Sequence, residues 1–252
     1  MKLNRKVALV TGAGSGFGAE MARQFAASGA CVLVNDLNEK AAETIAAEIR
    51  KSGGSAIAMG GDVSQSDEVG ALVARAMEEF GALDIYVNNA GYSHINQPLL
   101  EVAEAEFDRI YAVNVKSIYL SAIHAVPVFR AQGSGVFLNI ASTAGLRPRP
   151  GLTWYNSSKG AVITMTKSMA VELAPDNIRV NALNPVIGET GMMKTFMGGK
   201  DTPEIREKFI STIPLGRMSQ PQDIARAALF LVSDDAEFIT GVCMEVDGGR
   251  CI

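Results

Sequence analysis

The chain of 252 residues is poor in the side chains that build metal and redox centres: it has two histidines, three cysteines and one tryptophan. His94 and His124 share no ligand spacing with any cysteine, so no metal site is expected. Cys31, Cys243 and Cys251 form no Cys-x-x-Cys pair and are odd in number, which argues against a disulfide framework. Cys31 and Cys243 fall in strand-like runs and read as small core residues. A basic excess is also missing. The net charge is −4 and the cations are scattered singly, which leaves nucleic acid or an anionic membrane little electrostatic footing. Met1 to Lys6 contain no apolar h-region, and no segment reads as the roughly 20 apolar residues of a membrane span. A cytoplasmic location is therefore expected. No Pro/Ser linker, repeat or low-complexity tract divides the chain, so residues 1–252 are read as one domain.

What is present is an alternation of strand-like and helix-like runs. Lys6 to Val10 is a short apolar run of the buried-strand kind, followed at once by Thr11-Gly12-Ala13-Gly14-Ser15-Gly16-Phe17-Gly18. Ala19 to Ala27 then carries an apolar face at Met21, Ala22 and Phe25 and closes at Ser28-Gly29. A strand, a glycine turn and a helix N-terminus present free backbone N–H groups to a pyrophosphate. The second strand, Cys31 to Asn35, ends at Asp36, where a dinucleotide-binding unit places the carboxylate for a ribose 2′-hydroxyl. That carboxylate repels a 2′-phosphate, and neither Ser15 nor Leu37 supplies an offsetting cation, so NAD is favoured over NADP.

Further runs follow at 55–59, 68–80, 84–87, 107–129, 135–140, 155–173, 178–183, 221–232 and 242–246, the stretch 107–129 reading as a single long helix. Repeated βαβ units imply an α/β fold: a doubly wound parallel sheet of Rossmann type with helices on both faces.

Tyr155 and Lys159 stand four residues apart, on one face of a helix. An ammonium beside a phenol favours the phenolate, and bringing a tyrosine from about 10 to roughly 7–8 takes about 3–4 kcal/mol. The pair therefore reads as a proton relay, with Ser142 upstream as a hydroxyl partner.

Taken in order, these residues resemble the short-chain dehydrogenase/reductase family over essentially the whole chain. Gly12, Gly16 and Gly18 match its glycine turn, Asp62-Val63 its adenine-contacting pair and Asn88-Asn89-Ala90-Gly91 its segment after the fourth strand; Asn114, Ser142, Tyr155 and Lys159 match its catalytic tetrad. The resemblance implies that Tyr155 exchanges the substrate proton and Ser142 binds the same oxygen. It implies that Lys159 lowers the Tyr155 pKa and holds the nicotinamide ribose, and that Asn114 holds a water leading to solvent. It assigns cofactor contacts to Gly12, Ser15, Gly16, Phe17, Gly18, Asp36, Leu37, Asp62, Val63, Asn89, Ala90, Gly91, Tyr155 and Lys159. After the sixth strand the family pattern of Pro-Gly then Thr becomes Asn184-Pro185-Val186-Ile187-Gly188-Glu189-Thr190, so Pro185, Gly188 and Thr190 are the expected contacts there. A homotetramer built through the helices at 107–129 and 155–173 and the C-terminal strand is likewise implied.

Residues 92–97, 143–153 and 189–216 are expected to surround the reacting carbon. His94, Gln97, Ser142, Trp154 and Met192 are the candidate substrate contacts, with Trp154 half-buried beside Tyr155. Segment 189–216, with Met192, Met193, Phe196 and Met197 near Gly198-Gly199, reads either as a lid or as a helical flap packing its own apolar face. Arg147 and Arg149 read either as a recognition element for an acidic substrate group or as solvated or subunit-contact arginines. The function expected is NAD-dependent interconversion of a secondary alcohol and its ketone; NAD preference and the polar stretch Ser93-His94-Ile95-Asn96-Gln97 place polyol- or sugar-like substrates ahead of cyclic or aliphatic alcohols. The alternatives are a 3-oxoacyl-thioester (acyl carrier protein) reductase and a non-catalytic NAD-binding sensor.

Overall fold

Seven short apolar runs become seven parallel strands: β1 (Val7–Val10), β2 (Cys31–Asp36), β3 (Ser55–Gly60), β4 (Ile85–Asn88), β5 (Gly135–Ile140), β6 (Ile178–Pro185) and β7 (Cys243–Val246). The computed structural model describes residues 1–252. The strand order is β3-β2-β1-β4-β5-β6-β7. β1 lies between β2, with Val7 opposite Cys31, and β4, with Ala8 opposite Ile85. The chain therefore winds outward first in one direction and then in the other. The crossover at β1 and β4 leaves a crevice at their carboxyl ends, where ligands bind in sheets of this kind.

Helices cover both faces: α1 (Gly16–Ala27), α2 (Glu39–Lys51), α3 (Ser66–Phe80), α4 (Glu104–Tyr111), α5 (Ser117–Gln132), α6 (Thr153–Leu173), α7 (Met193–Phe196), α8 (Pro203–Ile210) and α9 (Pro221–Val232). Strand side chains alternate between faces, so β1 feeds two cores. Ala8 and Val10 join Met21 and Phe25 of α1, Ile45 of α2 and Ile224 of α9. Leu9 joins Leu72 of α3, Phe129 of α5 and Leu173 of α6.

Three features depart from the pattern reading. Helix α2 was not among the expected runs; its buried face is Ala42, Ile45, Ala46 and Ile49, and the Asn38 side chain caps it by accepting from the Ala41 N–H at 3.3 Å. The expected helix at 107–129 is two helices joined by a π-helical turn at Ala112–Lys116. The continuous stretch Glu104–Gln132 spans 29 residues and is long and apolar enough to cross a membrane by length and composition, which corrects the expectation that none would be. Here α5 packs Ala125, Val126 and Phe129 into the sheet's core.

At the start of β5 the sheet meets α5 so closely that a Cβ on Gly135 would lie 2.2 Å from Phe129 Cγ. Gly135→Ala should therefore overpack the core and lower stability by about 1–3 kcal/mol. Urea unfolding gives the test: an unchanged midpoint would show that Phe129 yields without strain.

Candidate active site

The glycine turn is locked to the end of β4 by a set of hydrogen bonds. The Asn89 side-chain amide donates to Thr11 O at 2.8 Å and Gly12 O at 2.9 Å. The Thr11 hydroxyl accepts from the Asn89 and Ala90 N–H groups at 3.0 and 3.1 Å and donates to Val87 O at 3.1 Å. Such closeness excludes side chains: a Cβ on Gly12 would lie 2.8 Å from Ala90 Cα, and one on Gly18 would lie 2.4 Å from Asn89 Nδ2. Gly18 is buried and does not line the cavity, so its place here is in the packing of α1 rather than on the cavity wall.

Above this junction opens a cavity of about 450 Å³. One end is walled by Gly12, Ser15, Gly16, Phe17, Asp36, Leu37, Asp62, Val63, Asn89, Ala90 and Gly91. Asp36 accepts from Gly14 N–H at 3.0 Å through Oδ2 and from Asn38 N–H at 2.9 Å through Oδ1. A carboxylate has about four acceptor positions, so both oxygens keep capacity for ribose hydroxyls. Gly14 completes the fit, since a Cβ there would lie 2.8 Å from Asp36 Oδ2. The residues present thus suit a dinucleotide with a free 2′-hydroxyl. Pro185, Gly188 and Thr190 line the same cavity, which supports the reading of the altered segment after β6. Gly188 is required there because a Cβ would fall 2.5 Å from Phe17 Cζ.

Ser142, Tyr155 and Lys159 meet on the opposite wall. Ser142 precedes a 3-10 turn after β5, where its hydroxyl accepts from Ala144 N–H at 3.1 Å and faces Pro185 O at 3.5 Å. Tyr155 and Lys159 lie on α6 and are 6% and 4% exposed. Lys159 Nζ donates to Ile140 O at 2.7 Å and sits 5.8 Å from the Tyr155 ring centre.

This arrangement reverses the expected acidity of the phenol. Burial pushes Tyr155 up to about 12, outweighing the Ser142 hydroxyl, which acts in the other direction. Burial also brings Lys159 down to about 8. Both charged forms lose hydration, and the ammonium is directed at a backbone carbonyl rather than at the phenol oxygen.

Asn114 lies in the π-turn and is fully engaged. Its Oδ1 accepts from Tyr92 N–H at 2.8 Å, and its amide donates to Tyr92 O at 2.9 Å and Ser158 Oγ at 3.0 Å. It clamps the backbone after Gly91 instead of lining the cavity. Of the substrate candidates, Ser142 and Met192 line the cavity, whereas His94, Gln97 and Trp154 do not. His94 is buried and hydrogen-bonds Ile95 O at 2.8 Å; Gln97 is directed to Glu101 O at 3.4 Å; half-buried Trp154 donates to Leu99 O at 3.3 Å and packs edge-on against Phe107. Their places are taken by Arg147, Arg149, Leu152, Phe196 and Phe209. Phe196 of α7 lies 5.1 Å from the Tyr155 ring, while Met193 and Met197 form a small core with Met218. Segment 189–216 thus packs its own apolar face and also covers the phenol.

A dinucleotide cleft that ends on a buried phenol, lysine and serine is the architecture of an NAD-dependent oxidoreductase acting on CH–OH groups. Comparison with known proteins agrees. The model of a family described as Enoyl-(Acyl carrier protein) reductase matches residues 12–250. The chain is 55% identical to 4-formylbenzenesulfonate dehydrogenase of Comamonas testosteroni, over all of both chains. Among solved structures, 3-ketoacyl-(acyl-carrier-protein) reductase of Brucella melitensis complexed with NADH superposes with a TM-score of 0.93 at 48% identity, covering 99% of this chain and 100% of that one. A 7α-hydroxysteroid dehydrogenase complexed with NADH and 7-oxo glycochenodeoxycholic acid gives 0.93 at 39% identity, covering 98% and 95%. The chain belongs to the short-chain dehydrogenase/reductase family.

Removing the Asp36 carboxylate should cost its hydrogen bonds to the ribose and its repulsion of phosphate together. Asp36→Ser is expected to raise KM for NAD by about 10- to 100-fold, the equivalent of charge-assisted bonds of about 1.5–3 kcal/mol. It should also narrow the gap between NADH and NADPH. Steady-state kinetics with both cofactors would refute the assignment if neither quantity moved.

Proposed function

We propose that the protein interconverts a ring-bearing secondary alcohol and its ketone using NAD. The observation that carries this reading is the convergence of Ser142, Tyr155 and Lys159 in the cavity that also holds Asp36. The substrate end is walled by Leu152, Met192, Phe196 and Phe209, a surface suited to a flat or alicyclic apolar body. The names of the Comamonas and hydroxysteroid relatives specify ring compounds as their substrates. Ser93 to Gln97, the polar stretch that suggested a polyol or sugar, contribute nothing to the lining.

Bound nicotinamide would supply the hydride chemistry. Tyr155 holds the proton at its phenol oxygen and gives it to the carbonyl oxygen in reduction, or takes it from the alcohol in oxidation. Ser142 fixes that oxygen by hydrogen bonding, a positioning effect. Lys159, between Ile140 O and the phenol ring, would hold the nicotinamide ribose. Segment 189–216 is proposed to act as a lid, hinged where Gly198 and Gly199 take φ of 70° and 82° and closing Phe196 over the phenol.

A 3-oxoacyl-thioester reductase is the second reading, supported by the likeness to the Brucella enzyme. A non-catalytic sensor is disfavoured by the intact Ser142, Tyr155 and Lys159.

Tyr155→Phe should lower kcat by about 10²–10⁴-fold while NADH binding is kept. With the phenol at about 12, alcohol oxidation, which needs the deprotonated form, should climb as pH rises, while ketone reduction, which needs the protonated form, should not. Full activity in Tyr155→Phe, or oxidation that falls as pH rises, would defeat the mechanism. Turnover of acyl thioesters alone in a substrate panel would favour the second reading.

The protein is further proposed to be cytoplasmic and homotetrameric. Exposed Tyr119 and Ile123 on α5 and Val171 on α6 support an assembly through these helices. Sedimentation equilibrium should return four chains per particle, and a monomeric mass would refute it.

A further inference from the structure

Three arginines stand together near the substrate end, and neither Arg147 nor Arg149 pairs with a carboxylate, while buried Asp247 acts on Arg250 by charge alone, without an ion pair or hydrogen bond. Arg147 lies exposed at the rim and donates to Arg250 O. Half-buried Arg149 stacks over Phe209, its guanidinium carbon 4.2 Å from the ring centre, and reaches Thr212 Oγ1 at 3.4 Å. Arg250 is 8% exposed, and its Nε and Nη1 are buried without a hydrogen-bond partner. The nearest carboxylate in sequence, Asp247, accepts from Gly249 and Cys251 N–H groups at 2.8 Å through its two oxygens.

In a chain of net charge −4, this is a local inversion of charge. Burial, then Arg250 and Arg147, bring Arg149 down to about 10, a sign that the three guanidinium groups act on one another. A guanidinium presents a positive charge and a planar fork of donors together, and an anion is the group that satisfies both. Arg147 and Arg149 line the cavity that holds Ser142 and Tyr155, with Leu152, Phe196 and Phe209 as apolar walls; Arg250 lies behind them and acts through its charge on Arg149.

We propose that Arg147 and Arg149, backed by Arg250, bind an anionic group, a sulfonate or carboxylate, on the part of the ring substrate remote from its hydroxyl. The inference rests on the alcohol dehydrogenase reading above and gives its substrate a charge. Arg149 sets specificity, since its guanidinium both stacks on Phe209 and faces the cavity. The apolar walls take the ring and the arginines take its charged end.

The test is isothermal titration calorimetry of benzenesulfonate and the neutral benzenesulfonamide, each added to the NADH complex. The native protein should bind the anion at least about tenfold tighter, matching a charge-assisted hydrogen bond. That preference should fall to about threefold or less in Arg149→Met and be partly restored in Arg149→Lys, with folding confirmed by retained NADH binding and thermal melting. Equal affinities in the native protein, or a preference that survives in both Arg149→Met and Arg147→Met, would overturn the proposal. Oxidation of 1-phenylethanol with and without a para-sulfonate separates the two readings. Calorimetric preference without turnover of either alcohol defeats the dehydrogenase reading alone; turnover without any preference for the anion defeats the arginine site alone.

Discussion

The close approach of the glycine turn to the end of β4 is the constraint on which the site depends. Asn89 can reach the Thr11 and Gly12 carbonyls only because Gly12 and Gly18 put no side chain in the way. The contact joins parts of the chain 77 and 78 residues apart. It fixes the floor of the crevice at the β1/β4 crossover, and with it the distance between the acidic end of β2 and the serine after β5. A buried chain of amides continues the lock inward, from Asn88 to Asn139 at 2.9 Å and from Asn139 to Thr166 at 2.9 Å. Every polar member of that chain gains a partner, so the core beneath the site is specified by hydrogen bonding as well as by shape.

Tyr155 and Lys159 sit on this rigid base under a strong desolvation penalty. Tyr155 and Lys159 are both almost wholly buried, and neither has a carboxylate hydrogen-bonded to it. Burial favours the neutral form of each, so the phenol holds its proton more tightly than usual while the lysine holds its own less tightly. Such a pair is poised to respond to whatever dipoles and charges enter the cleft, because little in the free protein has already been arranged to stabilise them.

Features set by short spacing were legible in the sequence. β5 at Gly135–Ile140 and α9 at Pro221–Val232 have the bounds expected of them, since a glycine or proline marks each start and an apolar pattern marks each length. That Asp36, Ser142, Tyr155 and Lys159 would come to one cavity was likewise readable, because each sits in or beside a local motif. The buried face of α2 at Ala42, Ile45, Ala46 and Ile49 has plain helical spacing, so that helix was legible even though it was not among the expected runs, whereas the π-turn at Ala112–Lys116 is a backbone event without a residue signature. Loop direction was the largest loss. Whether His94 or Arg149 points into the cleft is decided by contacts with Ile95 and Phe209, and the acidity of Tyr155 by burial summed over its whole surroundings.

The ring of Phe196 packed on Tyr155 has a consequence for proton traffic. Since burial is what holds the phenol's proton so tightly, its acidity varies with the position of α7. Were segment 189–216 to open as proposed, displacing Phe196 would readmit water and return the phenol toward ordinary acidity, so exchange with solvent would belong to the open state. With Phe196 seated, the proton would be kept for the substrate. Segment 189–216 would then time the movement of protons as well as the entry of substrate, and the two could not be adjusted independently.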